Sequence, residues 1–412
     1  MMGLLAAGTA EISAKDWPQW RGPNRDGKST ETGIIKNWET NPPKLLWMGE
    51  GMGAGYAGVA VVGDRIYTTG DLAAGQGVIA VNAKDGKVVW STPLTEGAPK
   101  HGFEGARCTP TVEGGMLWVT TSDGAVACLD TTGKVVWKKS FSEEWGGKMM
   151  SGWGFSESVL IDGDNAVCTP GGPEAMMVAL DKKTGKEAWR CKMPEGGGKG
   201  KDGAGYGSAV ISNGAGVKQY VQMTGRGLIG VRASDGKFLW SYDHVANDVA
   251  NISTPVVIGD HIFASTAYGT GTGLVKLVKD GDGVKAEEVY FIDPNKLQNH
   301  HGGMVLVDGH IYCGHKQNGG DPVCVDIKTG ELKWGPVKAP GKGSGSVSYV
   351  DGHLIFRYQN GVVALVEATP SGYKLKGSFK PEFQQKESWA HPVVSGGRLY
   401  LREQDKLMCY GL

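Results

Sequence analysis

Apolar runs of roughly four to eight residues alternate with polar, glycine-bearing turns along nearly the whole chain, the grain expected of β-strands. No segment sustains the three- and four-residue apolar spacing of an amphipathic helix. Within that grain one unit recurs. An apolar strand leads into a Gly-Asp or similar turn, a second strand follows, a third ends near Ala-Leu-Asp, and after Thr-Gly-Lys a fourth closes on tryptophan. VVGDRIYTTG…VIAVNAKDGKVVW runs to Trp90, MLWVTTSDGAVACLDTTGKVVW to Trp137 and MVALDKKTGKEAW to Trp189. IGVRASDGKFLW reaches Trp240 and CVDIKTGELKW reaches Trp334. Tyr290 in EEVYF and Phe379 in KLKGSF hold the same place in two degenerate copies, and Trp47 in PPKLLW is the first.

These aromatics fall 43 to 52 residues apart. A period of about 40–50 residues carrying four short strands is the mark of a propeller blade. The pattern predicts blades over 56–90, 105–137, 153–189, 205–240, 249–291, 299–334 and 343–379. An eighth would be shared by the two ends of the chain, with HPVVSGGRLYLREQDKLMCYG giving three strands over 388–410 and PPKLLW giving one over 44–47. The expectation is an all-β, eight-bladed β-propeller with four-stranded antiparallel blades, closed by N- and C-terminal strands in one blade. Such closure leaves no open edge around the ring. Residues 16–412 are read as this single domain. The recurring tryptophan has a packing reason, because a large flat ring on the outer strand can lie on the neighbouring blade.

Composition narrows the function. The 412 residues include 43 Lys and Arg against 43 Asp and Glu, so no basic surplus points to nucleic acid or an anionic membrane. None of the seven cysteines forms a Cys-x-x-Cys pair, so they read as small buried strand residues or as disulfide partners. KDGDGVK (279–285) lacks the closing Glu of an EF-hand and reads as a hairpin turn. EGGGKGKDGAGYG (195–207) lacks the Gly-Lys-Ser/Thr ending of a phosphate loop and reads as an inter-blade connection. Residues 1–15 read as the remnant of a secretory signal or as a disordered arm, and no run reaches transmembrane length. The expectation is an exported monomer, periplasmic or secreted.

A propeller's ligand face is one end of its central channel. Aligned on the turn glycines Gly63, Gly114, Gly163, Gly214, Gly259, Gly309, Gly352 and Gly396, the position six residues earlier holds Ala57, Cys108, Glu157, Ser208, Ser253, Gly303, Ser346 and Ala390. All are small except Glu157, which is either a ligand or metal group or a buried acid with a partner. The position two earlier includes Tyr206, Asn251 and His301, and Arg107, Trp153, Asn299, His300, Trp389 and His391 lie beside these rings. Together these ten side chains form a candidate funnel. Aromatic faces suit a flat or sugar-like ligand and Arg107 suits a carboxylate. Against that, His300 and His301 could simply bond loop backbone, His391 could be a satisfied core histidine, and Trp153 and Trp389 could be packing residues. Arg357 and Lys316 read as second-strand residues making surface or inter-blade contacts.

The Asp-x-x-Thr-Gly-Lys-x-x-Trp element resembles the tryptophan-docking repeat of PQQ quinoproteins and of the outer-membrane assembly factor BamB. DWPQWRGPNRDG, NHHGG (299–303) and WAHPV (389–393) resemble PQQ-binding-like propellers of bacterial cell envelopes, and the resemblance runs from Asp16 to Leu412. The BamB branch implies a non-catalytic scaffold that contacts an assembly barrel. The other branch implies a dehydrogenase of alcohols or sugars using PQQ and calcium, with Glu157 and Asn299 or Asn251 at the metal and Arg107 at a quinone carboxylate. The chain has no adjacent cysteines, which that branch often stacks on the quinone. The reading is a non-catalytic envelope propeller that uses its funnel for a protein partner or a small-molecule or saccharide ligand, with the dehydrogenase as the alternative.

Overall fold

The structure is a computed structural model and describes residues 15–195 and 198–412. The segment expected to be a signal remnant or arm lies outside the described residues except for Lys15. The strands form eight four-stranded antiparallel sheets, seven of them in simple sequence order. The eighth has the order Lys44–Glu50, Lys406–Gly411, Arg398–Glu403, Val393–Ser395, so the two ends of the chain share one blade as the repeat predicts. Trp47 faces Cys409 and Glu50 faces Lys406 across that seam.

The core lies between blades rather than in a common centre. Val61, Ile66 and Ile79 of the first blade pack on Val393, Tyr400 and Leu407 of the last. Val350 and Leu365 of the seventh pack on Leu399 and Met408 of the last from the other side. The same arrangement repeats around the ring. Because each sheet is covered on both faces, its middle strands are apolar at successive positions, as in Val78–Val81, where every side chain is fully buried.

The outermost strand of every blade carries a register shift close to its aromatic, such as Ala80/Val81 beside Trp90 and Cys128/Leu129 beside Trp137. A bulge re-aims the side chain it carries. Trp90 thereby lies on Gly133 of the next blade and donates from Nε1 to Thr131 O at 3.0 Å. Trp137 lies on Gly185 and donates to Lys182 O at 3.1 Å. Trp189 lies on Gly236, and Tyr290 on Gly330. Trp240 differs, donating within its own blade to Gln219 Oε1 at 2.6 Å.

One local expectation changes and two hold. In the fourth blade the turn at Gly214 is a 3-10 turn over Gly214–Gly216, and the second strand starts only at Gln219, because extra residues there replace the two-residue turn. All seven cysteines are free and buried, six of them on strands and Cys108 just before one. KDGDGVK is the tip of a hairpin, with Asp280 paired to Gly283. Residues 196 and 197 of the glycine-rich loop lie outside the described residues.

The opening segment does something the repeat does not foretell. Residues 15–29 run through the central channel and bind the innermost strands, or the residues leading into them, of seven blades. Trp17 pairs with Val61 (N to O 2.9 Å, O to N 2.8 Å), Pro18 O accepts from Val112 N at 2.8 Å, and Ser29 N donates to Tyr349 O at 2.8 Å. Trp20 Nε1 donates to Thr254 Oγ1 at 3.2 Å, and Arg21 Nη2 donates to Met304 O. Arg25 donates to Ser158 O at 2.7 Å and Val159 O at 3.2 Å, while Lys15 O accepts from Ser395 Oγ at 2.7 Å. Burial lowers Arg21 and Arg25 to about 10, which still leaves both charged. Guanidinium donors in carbonyl-rich surroundings are thus the clamps of a plug.

Candidate functional site

Above the plug the channel mouth opens into a cup of about 390 Å³. Its floor is Trp20 and Arg21, and its wall includes Arg107, Trp153, Tyr206, His300, His301, Trp389 and His391. Seven of the ten candidate side chains therefore meet in one cavity. Each lies just ahead of an innermost strand or in the loop leading into it, where successive blades converge on the axis.

The aromatic groups touch in sequence around the wall. Trp389 lies 4.9 Å from Phe103, 4.8 Å from Tyr56 and 5.0 Å from His301, centroid to centroid. His301 is 4.4 Å from His300, which meets Tyr268 at 5.3 Å. Trp153 and Tyr206 form a second edge pair at 6.0 Å, and Trp20 meets His391 at 4.5 Å on the floor. Tilted and edge geometries predominate, as ring quadrupoles favour.

The histidines are held neutral. Burial lowers His300 to about 4 and His391 to about 3. Burial, then the neighbouring His300, His391 and Arg107 charges, holds His301 well below its usual range. His391 Nε2 donates to His301 O at 3.2 Å, which leaves Nδ1 as the unprotonated nitrogen. His300 bonds Ser344 Oγ at 2.8 Å and Tyr268 OH at 3.0 Å, so its partners are hydroxyls rather than loop backbone. Arg107 lies 5.5 Å from the Tyr56 ring centroid, and its Nη2 donates to the carbonyls of Gly102, at 2.8 Å, and Phe103. Burial lowers its pKa, opposed by Tyr56, Tyr206 and Asp71.

Glu157, Asn251 and Asn299 do not reach the cup. Glu157 accepts from Thr169 N at 2.6 Å, Thr169 Oγ1 at 2.9 Å and Gln222 Nε2 at 2.9 Å. Asn251 Nδ2 donates to Thr224 O and Gly225 O, both at 3.0 Å, and its Oδ1 accepts from Asn247 N. Asn299 Oδ1 accepts from Ser253 Oγ at 2.6 Å and Nδ2 donates to Gly314 O at 3.0 Å. These three fasten one strand entrance to the next.

The calcium that the quinoprotein resemblance implies does not fit these residues. Calcium takes about six to eight oxygen ligands, carboxylates prominent among them. No Asp or Glu lines the cup, and the proposed metal oxygens of Glu157, Asn251 and Asn299 are committed below it. Among the described residues no group of three or more His, Cys, Asp or Glu gathers as a metal site.

The repeat alignment missed Tyr56, Phe103, Tyr268, Gln317 and Asn318, all of which line the cup. Tyr268, Gln317 and Asn318 lie on loops that follow second strands ending at Thr266 and His315. Those loops return to the same end of the channel as the strand entrances, so a second alignment on them would have found these residues.

Comparison with known proteins agrees with this architecture. The family model described as outer membrane protein assembly factor BamB matches residues 32–143 and 99–336. BamB of Burkholderia pseudomallei (strain K96243) is 29% identical over 140 residues, 32% of this chain and 32% of that protein. A polyvinylalcohol dehydrogenase of Sphingopyxis sp. (strain 113P3) is 27% identical over 202 residues, 43% of this chain and 28% of that protein. The matches thus span about a third or less of each curated relative. Among solved structures, BamB from Moraxella catarrhalis superposes with a TM-score of 0.62 at 13% identity, covering 90% of this chain and 98% of that one. A europium-containing methanol dehydrogenase gives 0.65 at 12% identity, covering 97% and 98%. At those identities the structures share the fold alone.

Proposed function

The chain belongs to the outer membrane protein assembly factor BamB family, and from that premise we propose that it is a non-catalytic binding propeller of the bacterial cell envelope. Residues 16–412 act as one propeller domain behind a signal remnant or arm at 1–15, and the protein works as a monomer in the periplasm or outside the cell. Its working surface is the aromatic cup with the loops around it, which receive a protein partner or a small-molecule ligand.

The observation that carries this reading is the chemistry of the cup. It is closed below by Trp20 and Arg21, walled by aromatic rings and neutral histidines, and free of carboxylates. Large rings and a few fixed polar groups are what a binding pocket needs. Acid–base catalysis needs a group that exchanges protons near the working pH, and these histidines are held far below it. No helix among the described residues is long and apolar enough to cross a membrane.

The test is capture from envelope extract by wild type and by a Trp153→Ala/Trp389→Ala double variant, with the retained molecules identified by mass spectrometry. A species held by wild type and lost by the variant is expected. Identical capture by both proteins would remove the cup from the reading. Dye reduction on adding PQQ, calcium and an alcohol would replace the reading with the dehydrogenase.

A further inference from the structure

We infer that the ligand of the cup is an acidic saccharide, a sugar whose carboxylate is bound by Arg107 and whose ring lies against Trp389 and Phe103. This rests on the reading of the cup as a binding site. Three observations converge on it.

The first is charge. Arg107 is the cation of the cup wall, and no carboxylate lines the cavity to neutralise it. Its Nη2 is tied to the Gly102 and Phe103 carbonyls, which fixes the plane of the guanidinium, while Nη1 has no hydrogen bond within the protein. Its Nε is buried without a partner, so Nη1 is the donor left open to a ligand. A positioned guanidinium with an open donor can receive a carboxylate. The histidines beside it, neutral across the ordinary pH range, add no competing charge.

The second is the remaining polar lining. Gln317, half-buried, and Asn318, exposed at the rim, line the cup, and neither side-chain amide bonds another group of the protein. Each can both donate and accept, which matches hydroxyl groups. Sugar hydroxyls can pair with both amides, whereas the ring of a flat aromatic acid offers them no partner.

The third is stored strain. Three bulky residues lining the cup, Arg21 (φ 60°), Phe103 (φ 52°) and Tyr268 (φ 60°), sit in the left-handed region. Bulky side chains avoid that region unless the surrounding structure enforces it, and such positions gather at ligand sites. Phe103 is also half exposed at the rim, 4.9 Å from Trp389, so a hydrophobic face is held open beside the cation.

The experiment is titration by tryptophan fluorescence and calorimetry with three acidic probes: digalacturonate, a glucuronate disaccharide and N-acetylneuraminate. Neutral digalactose and naphthalene-2-carboxylate serve as comparison ligands. At least one acidic sugar should bind about tenfold or more tightly than digalactose, as expected for one charge-assisted hydrogen bond. Arg107→Met should erase that preference and leave the melting temperature near wild type, while Arg107→Lys should keep part of it. Equal affinity for acidic and neutral sugars, an unchanged preference in Arg107→Met, or binding of the naphthoate alone overturns the acidic-sugar assignment and leaves the cup a binding site. Binding of none of the probes also overturns it. The capture experiment with the double tryptophan variant then decides separately whether the cup binds anything.

Discussion

Arg357 and Glu403 form an ion pair of 3.0 Å in which each side chain is 1% exposed. Arg357 stands on the second strand of the seventh blade and Glu403 ends the second strand of the eighth. The guanidinium also donates to Ala390 O at 3.0 Å and Arg402 O at 2.6 Å. The carboxylate accepts from Ser388 Oγ at 2.5 Å and from the amides of Gln385 and Lys386. The pair is therefore a polar rivet between the closing blade and its neighbour. Truncating one member leaves the other charged and buried, which costs about 3–5 kcal/mol. Glu403→Ala should lower the unfolding free energy by about that amount, and Arg357→Met/Glu403→Leu should recover only part of it, because Ala390 O, Arg402 O and Ser388 Oγ also lose their partners. Denaturant unfolding of the three proteins checks this, and a single variant within about 1 kcal/mol of wild type would contradict it.

The outer-strand aromatics make a second prediction, on glycine. Gly185 has φ 71°, and a Cβ there would come 2.7 Å from Trp137 Cδ2. Gly163 has φ 59° with nothing within 4 Å of the same point. Both substitutions by Ala incur the left-handed backbone penalty of roughly 1–2 kcal/mol. Only Gly185→Ala also drives a ring off its seat, adding about 1–3 kcal/mol of overpacking. Thermal unfolding should rank wild type above Gly163→Ala above Gly185→Ala, and Gly185→Ala should shift the tryptophan emission.

The blades were legible because their signals are local. A turn glycine and a terminal aromatic fall within one repeat, and their spacing survives even where Trp becomes Tyr290 or Phe379. The ring of small residues six before each turn was legible for the same reason, and all eight are buried, Glu157 among them. What stayed hidden depended on distant partners. Arg357 reads as an ordinary second-strand arginine until Glu403, 46 residues on, is placed beside it. Lys316 reads as a strand residue, but the strand ends at His315 and Lys316 enters a turn with φ 74°. Asn251 and Asn299 share the register of the cup, yet their amides turn sideways to the next strand, a choice of rotamer that no spacing reveals. The plug carries no period at all. Its Trp and Arg residues look like family decoration until the channel they fill exists.

Glu157 makes the stability depend on pH in a definite direction. Burial raises its carboxyl to about 7, against the lowering effect of the Thr169 hydrogen bonds and the Arg25 charge. In the unfolded chain the group ionises near its ordinary value of 4.5. Between these values the unfolded state has released a proton that the folded state still holds. Stability therefore falls as pH rises through this window, then stays level above it. Glu157→Gln removes the term. Relative to wild type it should gain about 1–3 kcal/mol on going from pH 5 to pH 8. His300 and His391, lowered to about 4 and about 3, give the opposite slope on the acid side. They are present in both proteins, so the difference between the two stability curves isolates Glu157. A flat difference would place the ionised carboxylate in the folded state at pH 5.

The plug should behave as part of the fold rather than as an appendage. Trp17 is 3% exposed and packs on the first and last blades together with Val61, Val393 and Tyr400. Its ring also covers Gly22, where φ is 83° and a Cβ would come 3.2 Å from the indole. This glycine lets the chain turn back against the tryptophan before Arg25 reaches the third blade. Trp17→Ala removes a buried indole at the point where the segment enters the channel, a change of about 3–5 kcal/mol in a packed site. Because the same segment bonds the innermost strands, or the residues leading into them, of seven blades, its release should be felt around the whole ring. The unfolding midpoints read by far-ultraviolet circular dichroism and by tryptophan fluorescence should fall together. Amide exchange should quicken at Val61, Val112 and Tyr349, whose backbone partners are Trp17, Pro18 and the Gly27–Ser29 stretch. If the segment instead became protease-sensitive with the global midpoint unchanged, the blades would be self-sufficient and the plug would serve only as the floor of the cup.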